Sequence, residues 1–96
     1  MKRQEAIEVI KSELAALTTP NIQFASLRPF APNWYFRAYF RRRGKVVGYN
    51  TQGIPATEIE ATDAGALRKR VRRLCGNAKR EGATIVFKGD DDGRET

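Results

Sequence analysis

The side chains able to do chemistry fall into two cationic groups and a short series of acids. The first group is Arg37, Arg41, Arg42, Arg43 and Lys45, with Tyr35 and Tyr39 interleaved. Guanidinium forks match phosphate geometry, and aromatic rings stack on unpaired bases. A two-stranded ribbon of this kind also fits a DNA major groove. The second group is Arg68, Lys69, Arg70, Arg72, Arg73, Lys79 and Arg80, a run with no acid inside it. On a helix, Arg68 with Arg72 and Lys69 with Arg73 are like-charged i, i+4 pairs, which cost stability. A phosphate backbone or an acidic protein surface would relieve that repulsion. Against these readings stand plainer ones. Lys79 and Arg80 suit the C-terminal end of a helix macrodipole in plain solvent. Hairpin arginines also protect sheet edges, and tyrosines pack under other elements.

The acids and the remaining reactive groups point away from catalysis. The chain has no histidine, which removes His-based triads, His–Cys nucleophiles and His-containing zinc sites together. Cys75 falls on an apolar helix face and reads as a buried structural thiol. Glu58 and Glu60 share a strand face with Asp63 nearby, the outline of a metal-assisted nuclease, but strand glutamates are usually surface residues and Asp63 is better placed as a helix cap. Asp90 to Asp92 lack the alternating ligands and terminal glutamate of a calcium loop. Gly44, Gly48 and Gly53 form no Walker or dinucleotide pattern. The chain is therefore expected to be no enzyme, with no catalytic residue, metal or cofactor.

Charge placement sharpens the partner class. The 96 residues carry 18 basic and 11 acidic side chains, a net charge of +7. Residues 1–20 are balanced, whereas 21–62 carry six basic against two acidic groups, and 63–82 carry seven against two. Residues 83–96 are acidic overall, with four acids against two bases. Clustered lysine and arginine attract polyanions, and the acidic end is expected to compete for the same surface. No segment has the ~20 apolar residues that span a bilayer, and the charged start has no signal core. A single cysteine fits a reducing compartment. The expected setting is the cytoplasm, with no membrane, and the chain reads as a small bacterial or phage-type protein.

The elements that must hold these groups follow from periodicity. Residues 4–17 form an amphipathic helix, with Ile7, Ile10, Leu14 and Leu17 on one stripe and Val9 outside it; Pro20 ends it. Asn21 to Leu27 reads as a short strand. Trp34 to Arg41 is the clearest strand, with Trp34, Phe36, Ala38 and Phe40 on one face and Tyr35, Arg37, Tyr39 and Arg41 on the other. Arg42 to Lys45 makes a tight turn into a return strand, Val46 to Tyr49, and Asn50 to Pro55 reads as a loop. Thr57 to Thr62 alternates as a strand would. Asp63 caps a helix over 64–80, whose Leu67, Val71, Leu74, Cys75 and Ala78 share an arc of about 100°. Gly82 suits a helix stop, and Ala83 to Phe87 reads as a final strand.

These elements predict an α+β domain over 1–88, followed by an acidic disordered tail over 89–96. Its small antiparallel sheet should have three to five strands, with two amphipathic helices packed on one face. The order helix, three strands, helix resembles double-stranded RNA-binding domains, and a helix after a three-stranded sheet resembles integrase-type arm-binding domains. Both resemblances are topological and imply nucleic-acid binding. The helix opening Asp63-Ala64-Gly65-Ala66 departs from the lysine-rich motif of the first family, and no family is assigned. The functional expectation is a nucleic-acid-binding module, DNA ahead of RNA, that grips phosphates through Arg68, Lys69, Arg72, Arg73, Lys79 and Arg80 together with the 41–45 turn. Arg37, Tyr35 and Tyr39 are the candidates for contacts beyond phosphate. The alternative is an inhibitor or adaptor docking its basic face on an acidic protein.

Overall fold

In the computed structural model the backbone of residues 1–95 and the side chains of residues 1–82 are described. The chain opens with α1 (Arg3–Leu17), which buries Ala6, Ile10 and Leu14. Val9 and Leu17 pack half-buried against the same core. The expected stripe through Ile7 is thus turned, and Val9 belongs to it. The buried row runs i, i+4, i+8 from Ala6, which a pattern scored on large side chains passes over. Thr18 closes the helix. Its hydroxyl donates to the Leu14 carbonyl at 2.9 Å and accepts from the Phe24 amide at 3.0 Å, tying the helix end to the first strand.

Three strands follow, β1 (Ile22–Phe30), β2 (Asn33–Arg42) and β3 (Lys45–Pro55), paired antiparallel in the order β1-β2-β3. A turn at Ala31-Pro32, joined by a cis peptide, connects the first two. Arg43 and Gly44, with φ of 54° and 78°, connect the second pair. Positive φ at both central positions is the two-residue hairpin turn whose twist matches that of the strands. β3 runs through Asn50 to Pro55, which reads as loop by composition, because the long β2 leaves a row of backbone groups that a partner of equal length satisfies.

The expected strand over 57–62 is a short helix, α2 (Ala56–Ala61). It buries Ile59 to 1% exposure. A helix turns consecutive residues by about 100°, so Glu58 and Glu60 point to different sides rather than sharing a strand face. Asp63 then caps α3 (Ala64–Glu95), its carboxylate accepting from the Ala66 amide at 2.8 Å.

α3 does not stop at Gly82, and the strand expected over 83–87 is helical. A glycine ends a helix by taking positive φ, and among the described residues Gly44 is the glycine with that conformation. Gly82 instead lies buried against the Phe40 ring, in space that a Cβ would overlap. One residue earlier, Glu81 accepts hydrogen bonds from Asn50 at 3.0 Å and Gln52 at 3.2 Å, anchoring the helix to β3. A β-branched run forms strand only where a neighbour supplies ladder bonds, and here its backbone continues α3. The acidic tail over 89–96 lies outside the described side chains.

α1 and α3 cover one face of the sheet and touch each other, giving the expected α+β layers. Phe36, Ile10, Ile54, Ile59, Leu67 and Val71 are the largest fully buried side chains, each worth about 1.5–3 kcal/mol of burial. Ile54 and Ile59 enter the core from the two segments that composition and alternation misassign. Among the described residues, no helix is long and apolar enough to cross a membrane.

Candidate nucleic-acid interface

Because both helices lie on one side, the alternation of β2 sorts its side chains between core and open face. Phe36, Ala38 and Phe40 are buried, whereas Arg37 is exposed and Tyr35, Tyr39 and Arg41 are half-buried. Register extends this face across the neighbours. Tyr39 lies between Gln23 and Tyr49, Arg37 between Ala25 and Thr51, and Tyr35 between Arg28 and Gly53.

Arg28 reaches that face through a bulge. The β1–β2 register shifts between Ala25 and Arg28, where Ser26 takes φ of 62°. The extra residue resets the alternation. Leu27 turns to pack on the core, and Arg28 lands opposite Tyr35. The result is a shallow cleft of about 500 Å³ whose lining includes Arg28, Phe30, Tyr35, Arg37, Tyr39 and Thr51.

Two aromatic pairs flank the cleft. Phe30 and Tyr35 have ring centroids 6.3 Å apart, and Tyr39 and Tyr49 have theirs 6.2 Å apart. The Arg37 guanidinium lies 4.6 Å over the Tyr49 ring centre, a cation–π contact that holds it flat on the sheet. Ser26 shares a hydrogen bond with the Tyr39 hydroxyl at 3.2 Å. That bond, followed by one with Arg37, lowers the Tyr39 phenol from its ordinary value. Asn33 donates to the Tyr35 hydroxyl at 2.9 Å. Gly53 leaves room for the Tyr35 ring, since a Cβ there would come 2.7 Å from Cε1. No acidic residue occurs between Glu13 and Glu58, so the whole sheet is free of carboxylates.

The structure brings Tyr35, Arg37, Tyr39 and Arg41 onto one surface, with the turn carrying Arg42, Arg43 and Lys45 at its end. Arg41 is largely committed to the fold. It donates to Gln23 at 2.8 Å and to the Gly44 carbonyl at 3.2 Å, clamping the turn to β1. Arg43 and Lys45 are exposed.

The cations of α3 lie elsewhere. Leu67, Val71, Leu74, Cys75 and Ala78 are buried, so Arg68, Lys69, Arg72, Arg73, Lys79 and Arg80 point away from the sheet, on the side opposite Tyr35 and Arg37. Several cations of this helix have partners within the fold. Arg72 pairs with Glu13 of α1 at 3.1 Å and Arg68 approaches the same carboxylate at 3.9 Å. Arg70 pairs with Glu58 at 2.8 Å, and Arg80 donates to Asn77. Lys69, Arg73 and Lys79 are exposed without a partner among the described residues. The like-charge repulsion expected from the sequence is thus relieved in part by α1 and α2.

The other reactive groups are accounted for. Glu58 and Glu60 are taken apart by separate partners, Glu60 pairing with Arg3 at 3.1 Å. No cluster of three metal-ligating side chains occurs among the described residues. Burial pushes the Cys75 thiol up to about 12.

Sequence reasoning missed Arg28, Phe30 and Tyr49. Tyr49 was recoverable, since pairing outward from a two-residue turn at 43–44 sets it close to opposite Tyr39. Arg28 was not, because its face depends on the bulge. Neither a family model nor any curated protein or solved structure matches the chain.

Proposed function

We propose that this protein is a nucleic-acid-binding module whose main surface is the open face of the sheet together with the Arg42–Lys45 turn. The observation that carries the proposal is the acid-free sheet face on which Arg28 and Arg37 alternate with aromatic rings. A carboxylate-free surface carrying guanidinium forks attracts phosphate without the repulsion that scattered acids impose. The outward cations of α3 form a second basic surface behind the sheet. They add to the long-range field but face away from a strand seated on β2. An acidic protein is the alternative partner for the same basic charge.

Titration of labelled duplex DNA, single-stranded DNA and RNA at several salt concentrations tests this. With about five phosphates neutralised, log K against log salt should slope near −4. The double change Arg37→Glu with Arg43→Glu should reduce affinity at least tenfold and flatten the slope by about 2. Arg72→Glu with Arg73→Glu, on the far side, should cost less. Absence of binding at low salt would move the reading to an acidic protein partner. Equal binding by the Arg37/Arg43 variant would place the contact on another surface.

A further inference from the structure

From the two aromatic pairs on the sheet we infer that the ligand is an unpaired strand, DNA or RNA, laid along β2 with bases stacked on the rings. The inference rests on the nucleic-acid reading above and narrows its ligand class. In a duplex, base faces are hidden in the stack, so a protein meets only base edges and the sugar–phosphate surface. Aromatic rings exposed on an open sheet face gain little from such a ligand, whereas an unpaired base offers its whole π-face.

The geometry fits a strand. Tyr35 and Tyr39 are four residues apart on β2, which places the two pairs about 13 Å apart along the sheet. Arg37 lies between them, its guanidinium seated over the Tyr49 ring. Phe30 is 75% exposed and Tyr49 is 51% exposed. Neither ring is spent on the core, whose aromatic members Phe24, Phe36 and Phe40 are on the opposite face. The cleft between the pairs gives the intervening nucleotide a place to sit. Stacking on every base is sequence-tolerant, so the chain should bind strands with weak sequence preference.

The test uses the full chain with labelled oligodeoxythymidine and oligouridine of about ten nucleotides, a length within the range one such surface covers. A blunt duplex of equal length serves as the comparison. The parent should bind the single strands at least tenfold more tightly than the duplex. Phe30→Ala should weaken single-strand binding about tenfold, change duplex binding less than twofold and keep the salt slope, because Phe30 is exposed and pairs with Tyr35 rather than seating an arginine. Phe30→Tyr should keep most of the affinity, since the ring carries the contact. The ratio of oligothymidine to oligouridine binding separates a DNA from an RNA ligand. Preference for the duplex, or single-strand binding untouched by Phe30→Ala, would overturn the inference and leave the phosphate-binding reading standing. Failure of all three probes at low salt would overturn both.

Discussion

Gly82→Ala offers a direct test of how α3 packs. In a helix interior alanine is favoured over glycine by about 0.8–1 kcal/mol, so a solvent-facing Gly82 would gain stability on substitution. Here the added methyl falls within the Phe40 ring, overlapping three of its carbons. Phe40 is 6% exposed and set by its strand, so neither partner yields freely. Overpacking of this kind costs about 1–3 kcal/mol. Set against the helical gain, the net loss should be about 1 kcal/mol, or roughly 4–8 °C in Tm for a domain of this size. The cost should shrink by about 1 kcal/mol or more in a Phe40→Leu background, a coupling that a double-mutant cycle by chemical denaturation measures. A glycine needed only for a positive φ at a helix stop would also lose stability on substitution, but without coupling to Phe40. Equal cost in both backgrounds, or a rise in Tm, would refute the packing described for α3.

Two further outcomes follow from local geometry. Arg43 holds φ of 54° without the means to favour it, so Arg43→Asn should raise stability by roughly 0.5–1 kcal/mol, read as a higher denaturation midpoint at unchanged m-value; a lower midpoint would contradict the hairpin turn. The Cys75 thiol, raised to about 12 by burial, should resist iodoacetamide at pH 8 in the native protein and react on unfolding. Because its folded value lies above the unfolded one, its contribution to stability is complete below about pH 8.5 and falls as pH rises toward 12. Cys75→Ala should lose that part of the alkaline decline, and an identical alkaline profile would refute the assignment.

What the sequence determined by itself is what local pattern encodes. The alternation of Trp34 to Arg41 placed Phe36 and Phe40 inside and Arg37 and Tyr39 outside, and the Asp63 cap opened α3 where expected. The α+β layering followed, because two amphipathic helices and a half-apolar sheet have few other ways to bury their faces. Tertiary structure decided the rest. Thr57 to Thr62 alternates like a strand, yet it folds as a helix because Ile59 fills the core and its glutamates find Arg70 and Arg3. Gly82 and the branched run after it read as a stop and a strand, yet the contact with Phe40 and the Glu81 anchor carry the helix onward. The composition of the candidate surface was likewise only half legible. Arg37 and Tyr39 are placed by a two-residue period within one strand, whereas Arg28 depends on a bulge and Tyr49 on cross-strand register. The helix cations and the sheet arginines are near equivalents in a count of charges. Only the packing of α3 over the sheet turns them to opposite sides, since the apolar stripe that must be buried dictates where the charged stripe points.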